Sequence, residues 1–163
     1  MLRDYDGYRQ QIREIYKQVG PVLEKGVRLS PYDLGIQWEF SPIEDNVWGN
    51  IRYLGIPLYP EFPVGPYFID FADPKKKIGI EVDSIKWHKD KSKDMVKDKY
   101  LRSCGWNIYR IPSHMTYKTR EDFIDEDGNV NLEDYVFESS EGFLWDIYKN
   151  EDKFIYFTRL RLV

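Results

Sequence analysis

Tyr67-Phe68-Ile69-Asp70-Phe71-Ala72-Asp73-Pro74-Lys75-Lys76-Lys77-Ile78-Gly79-Ile80-Glu81-Val82-Asp83-Ser84-Ile85-Lys86-Trp87-His88 is the stretch whose reading decides the fold. Two hydrophobic runs flank a Pro-Lys turn, and each run carries acids inside it. Strand interiors disfavour acids, and a buried carboxylate is costly unless it is paired or binds a metal. Asp70 lies between Ile69 and Phe71, and Glu81 between Ile80 and Val82. Strict alternation puts the apolar neighbours of each acid together on the opposite face, a geometry that also suits a half-exposed strand. The simplest reason for placing two acids there is a divalent cation. The runs predict antiparallel strands over 67–72 and 77–83, joined around Asp73-Pro74.

Downstream, 92–104 has helical spacing, with Val96, Tyr100, Leu101 and Cys104 as its buried face and Gly105 as its stop. Residues 106–111 alternate and predict another strand, ended by Pro112. Upstream, Ser41-Pro42-Ile43-Glu44 is a helix start with a capping box and proline at the first helical position. Ile43, Val47, Trp48, Ile51 and Leu54 continue it to Gly55. Residues 56–62 read as extended, and Pro63-Val64-Gly65-Pro66 as a turn. Tyr5, Tyr8, Ile12, Ile15, Tyr16 and Val19 predict an amphipathic helix over 4–19, which Gly20-Pro21 ends or bends before a weak resumption through Leu23. Residues 27–40 are irregular, with Ile36 to Phe40 a short strand or a packed loop. In the tail, Phe143 to Lys149 is a short helix and Phe154 to Leu162 a closing strand. These elements predict a single α/β domain over 1–163, a mixed β-sheet flanked by helices, with its core at about 41–112.

Charge is unevenly spread. Residues 1–120 hold 20 Lys and Arg against 16 Asp and Glu, whereas 121–152 hold 1 against 12. The net charge of −4 therefore hides a mildly basic body with an acidic insert at about 121–152. Asp125, Asp127 and Asn129 suggest a calcium loop, but the glycine it requires would fall at Val130, and the reading fails. A single cysteine, Cys104, rules out an intramolecular disulfide and a cysteine-rich zinc site. No apolar run reaches the length of a membrane span, and Met1-Leu2-Arg3-Asp4 does not open a signal peptide. The expectation is a soluble, cytoplasmic protein.

The acids and bases fall in an order that resembles a known superfamily. Ser41-Pro42-Ile43-Glu44, Pro63-Val64-Gly65-Pro66-Tyr67, Asp70-Phe71, Ile80-Glu81-Val82-Asp83 and His88 come in sequence. Asp94 follows, then Lys97, Leu101, Gly105 and Arg110 at three, seven, eleven and sixteen residues beyond it. This set resembles the PD-(D/E)XK nucleases. More closely, it resembles the branch of very-short-patch repair endonucleases and phage EDxHD homing endonucleases. The match covers about 70 of the 163 residues.

The resemblance implies a restriction-endonuclease-like fold and roles for individual residues. Asp70 would be the central metal ligand, Glu81 a second ligand or the holder of a water on the metal, and the Val82 carbonyl a third. Glu44 would reach in from its helix, and His88 would contact the scissile phosphate or act as general acid or base. Asp94 and Lys97 would organise the site. Two positions depart from the pattern. Asp83 stands where the superfamily name expects lysine, which leaves Lys86 and Lys97 as substitutes, and Glu61 replaces a frequent glutamine. The single cysteine also excludes the usual zinc site of the repair enzymes, so mismatch repair is not predicted.

The expected function is hydrolysis of DNA phosphodiester bonds with Mg²⁺, for which Mn²⁺ can substitute. Lys86, Lys89, Lys91 and Lys93 would hold phosphates. The expected partner is DNA and not a membrane, with a homodimer as a candidate assembly, in a bacterial or phage-infected cell. Taken singly, each residue has a plainer reading. Glu44 suits a capping box, His88 a core edge, and the seven bases of 86–102 a solvated helix face. The alternative function is an inactive DNA-binding or protein-interaction module on a nuclease fold.

Overall fold

The computed structural model describes residues 5–83 and 91–149. His88, Lys86, Lys89 and the predicted closing strand at 154–162 lie outside the described residues, as does the side chain of Lys91. The chain groups into two compact units. One is drawn from Met1–Glu39, Pro57–Glu81 and Lys89–Arg110, the other from Phe40–Ile56, Val82–His88 and Ile111–Val163.

The elements in chain order are α1 (Tyr5–Glu24), α2 (Pro42–Leu54), β1 (Tyr59–Val64), β2 (Tyr67–Asp73), β3 (Ile78–Asp83), α3 (Lys91–Ser103), β4 (Asn107–Pro112), α4 (Leu132–Glu138) and α5 (Ser140–Tyr148). Short 3-10 turns lie at Pro31–Leu34, Ser113–Tyr117 and Arg120–Phe123. The sheet order is β1-β2-β3-β4. The first three strands are antiparallel neighbours. The Asn107 N–H at the start of β4 donates to the Lys77 carbonyl just before β3 (2.8 Å). β3 and β4 therefore begin at the same end and run parallel across α3, as a crossover connection requires. The result is the α/β class with a mixed sheet.

In the first unit, α1 buries Tyr8, Ile12, Tyr16 and Leu23. These join Tyr59, Phe62, Ile69, Ala72, Leu101, Trp106 and Ile108 in one core. Tyr16 meets the edge of Phe62 (4.9 Å between centroids) and donates its hydroxyl to the Pro60 carbonyl (2.6 Å). α1 does not end at Gly20-Pro21. Pro21 removes one backbone donor, but burial of Leu23 holds the last turn in place. Ile36 to Phe40 is a packed loop rather than a strand.

The β1–β2 hairpin turns at Gly65-Pro66, between the Val64↔Tyr67 pair. Gly65 has φ +56°, and a Cβ there would run into the Tyr100 hydroxyl, so only glycine fits. This hairpin departs from strict alternation. Tyr59 and Phe62, three residues apart, share one core, and so do their partners Ala72 and Ile69. A period of two would put them on opposite faces. The fault lies at Glu61, whose φ of 49° leaves the extended region, and at Asp70 across from it. Asp70 therefore does not sit opposite two apolar neighbours on one shared face, as the sequence suggests.

The second unit is helical. Ser41 caps α2 with the expected capping box, and Gly55 closes it at φ +67°. α2 packs on α5 and on the turn Ser113–Tyr117, and α4 packs on α5. A Cβ at Gly142 would strike the Tyr135 backbone, so glycine sets how closely α4 and α5 approach. α5 begins at Ser140, three residues before the predicted start at Phe143, and α4 has no counterpart among the predicted elements. The Asp127-Gly128 turn forms within a small Ile124↔Val130 bridge. The Asp125 carboxylate folds onto the N–H groups of Asp127 and Asn129 (both 2.9 Å).

Candidate active site

The register of β2 and β3 runs Asp73↔Ile78, Ala72↔Gly79, Phe71↔Ile80. Asp70 and Glu81 are the next residues on the two strands, just past the last pair. Asp70 is half-buried, at the point where the hairpin breaks its alternation. Glu81 is 4% exposed. Its Oε1 is sealed from solvent. The Lys97 ammonium, reaching from α3, lies against that same oxygen and supplies its compensating charge.

α3 explains how Lys97 arrives there. Of the predicted apolar face, Leu101 and Cys104 turn in, whereas Val96 and Tyr100 do not. Val96 is 61% exposed and Tyr100 37%. The face that turns in carries Asp94, Lys97, Asp98, Leu101 and Cys104, at intervals of three or four residues. Leu101 is fully buried. Asp98 takes a forked ion pair from Arg110 on β4, with Nη2 to Oδ1 at 2.7 Å and Nε to Oδ2 at 3.1 Å. Gly105 ends the helix at φ +91°. The spaced series thus divides by task. Leu101, Gly105 and Arg110 build the helix and tie it to the sheet, and Lys97 serves Glu81. Asp94 is half-buried on the first turn.

Glu44 closes its own capping box through the Ser41 N–H (3.0 Å). Val82 and Asp83 are half-buried at the end of β3, and Lys93 is exposed on α3. Glu61 is the residue the sequence undervalues. In the motif it is only a departure from glutamine, yet it carries left-handed backbone in the middle of a strand, across from Asp70. Such strain costs of order 1–3 kcal/mol and clusters at functional sites. Burial raises the Tyr16 phenol well above its ordinary value, with Tyr59 and the Glu61 carboxylate adding to the shift.

Among the described residues no group of three or more His, Cys, Asp or Glu side chains gathers as a metal cage. Mg²⁺ is commonly held by one or two carboxylates, with waters and substrate phosphate completing its shell. The adjoining Asp70 and Glu81, two carboxylates on neighbouring strands, fit that chemistry.

The second unit holds a contrasting buried acid. Glu141, also 4% exposed, accepts the Arg120 N–H (3.0 Å) and the Tyr135 hydroxyl. Burial pushes its carboxyl above the usual range. Ser139, buried beside it, donates to the Tyr135 carbonyl (2.7 Å) and accepts the Gly142 N–H (2.9 Å).

Among the described residues no helix is long and apolar enough to cross a membrane. The model of the family REase_MTES_1575 matches residues 43–126, which include both acids and all of α3. An uncharacterised protein of Haemophilus influenzae is 27% identical over 90 residues, covering 53% of this chain and 57% of that protein. The match therefore spans little more than half the length of that relative. Among solved structures, the catalytic domain of the homing endonuclease I-Bth0305I is similar at 19% identity, over 76% of this chain and 100% of that one, with a TM-score of 0.40.

Proposed function

This chain belongs to the restriction-endonuclease-like family REase_MTES_1575, and from that premise we propose that it is a metal-dependent DNA endonuclease of the branch that holds the short-patch-repair and EDxHD homing enzymes. The observation that carries the reading is the buried Glu81 carboxylate. It adjoins Asp70, faces the Lys97 ammonium and lies within the family's matched segment.

Asp70 and Glu81 would hold Mg²⁺ or Mn²⁺, with the Val82 carbonyl as a third oxygen. When bound, the ion supplies Lewis acidity toward a phosphodiester and lowers the pKa of water beside it. The chain's own residues do the rest. Lys97 orients the Glu81 carboxylate and keeps a positive charge beside the reacting phosphate. Asp98 and Arg110 fix the rise of α3 and so place Lys97. Glu61 bends the hairpin where Asp70 must project. Lys93 and the neighbouring lysines hold the DNA backbone, a contact that positions but carries no sequence information.

Asp83 at the usual lysine position favours the inactive alternative; the Lys97 ammonium beside Glu81 supports the active one, since it could supply the missing charge. Supercoiled plasmid incubated with the protein and Mg²⁺ or Mn²⁺, beside an Asp70→Asn variant, tests the reading. The parent is expected to nick and the variant to lose activity by on the order of 10³-fold. Retardation of DNA on a gel without cutting by either protein would support the inactive module instead.

A further inference from the structure

α1 carries Arg9, Arg13 and Lys17 at four-residue spacing, in a row beside its buried Tyr8, Ile12 and Tyr16. Residues four apart stack on one helix face, about 6 Å apart along the axis. Among the described residues, none of the three has a carboxylate within ion-pairing distance. Glu14, an acid in the row's own turns, is taken by Gln10 (3.2 Å). Arg9 and Arg13 are also held in place. Their guanidinium carbons lie 4.8 Å and 4.4 Å from the centroid of one ring, Phe68 on β2. Arg9 lies over Tyr5 as well, at 4.6 Å, and donates to its hydroxyl (3.0 Å). Arg13 donates to the Gly65 carbonyl in the β1–β2 turn (2.9 Å).

Among the described residues, each arginine thus uses one of its five N–H donors and keeps four. Stacking on an aromatic face fixes the plane of the guanidinium and leaves its edge free, the geometry that grips a phosphate with two parallel hydrogen bonds. Two cations fixed against one ring, with no acid between them, repel one another until an anion arrives. Cations combined with aromatic faces are also how proteins track a nucleic-acid backbone. The row lies outside residues 43–126, where the family model matches.

We propose that Arg9, Arg13 and Lys17, with both arginines pre-set on Phe68, form a clamp for the phosphate backbone of the DNA substrate, separate from the carboxylate site. The clamp rests on the nuclease reading above. The test measures binding of the full chain to a fluorescein-labelled duplex of mixed sequence, in EDTA to prevent cutting, across a salt series. Arg9→Gln/Arg13→Gln is expected to make the plot of log affinity against log salt shallower by about 1.8, some 0.9 for each phosphate no longer neutralised. Arg9→Lys/Arg13→Lys keeps the charges and should recover most of that slope. A second readout avoids variants altogether: bound duplex should shield Arg9 and Arg13 of the parent from a dicarbonyl reagent, read by mass spectrometry. An unchanged slope, or equal modification with and without DNA, overturns the clamp while leaving the nuclease reading intact. A parent that fails to bind the duplex at all overturns both.

Discussion

Glu81 and Glu141 are equally hidden from solvent, yet the protein treats them in opposite ways. Glu141 is surrounded by donors. A backbone N–H and a tyrosine hydroxyl meet its oxygens, and its burial helps to join α4 and α5. The buried Oε1 of Glu81 relies on one partner, the side-chain ammonium of Lys97. A buried acid held by fixed donors serves the fold, whereas one balanced by a single side-chain ammonium keeps lone pairs for a further ligand. That is the arrangement expected of a ligand-binding acid. The difference separates two acids that composition cannot tell apart.

The largest effect is expected at Lys97. Lys97→Met leaves the Glu81 carboxylate buried and uncompensated, and the destabilisation is expected to reach about 3–5 kcal/mol, read by urea unfolding. Adding Glu81→Gln to that variant removes the stranded charge and should restore most of the stability. If the single and double variants unfold alike, the pair is not what balances Glu81.

A smaller effect is expected at Glu141. Because burial raises the Glu141 carboxyl in the folded state, the folded chain holds the extra proton between its ordinary value of 4.5 and the raised one. Stability then falls as pH rises through that window and levels off above it. Glu141→Gln should abolish this decline and lie above the parent at neutral pH. Superimposable stability profiles for the two proteins would contradict the assignment.

Much of the frame is legible in the sequence because it depends on neighbours in the chain. Ser41-Pro42-Ile43-Glu44 starts α2 by local capping, Gly105 stops α3, and the Asp73-Pro74 turn pairs 67–73 with 78–83. What escapes depends on tertiary contact. Apolar spacing points to Val96, Tyr100, Leu101 and Cys104 as the inward face of α3; it is right at Leu101 and Cys104, wrong at Val96 and Tyr100, and passes over the polar row of Asp94, Lys97 and Asp98. That row stands in helical register with Leu101 and becomes visible on asking which charges share its face. The kink at Glu61 is invisible because propensity gives no warning of left-handed backbone at a glutamate inside a strand. α4 is short and bears only one buried residue, Tyr135, so its periodicity is too weak to read. The acids themselves stand out, since carboxylates inside apolar runs conflict with local preference, and such conflicts concentrate at functional sites.

The most direct measurement sets the two glutamates side by side in the same plasmid-nicking assay with Mg²⁺ or Mn²⁺. Glu81→Gln should be folded and unable to cut, and Glu141→Gln should cut at the parent's rate. Cutting by Glu81→Gln at the parent's rate would contradict the account.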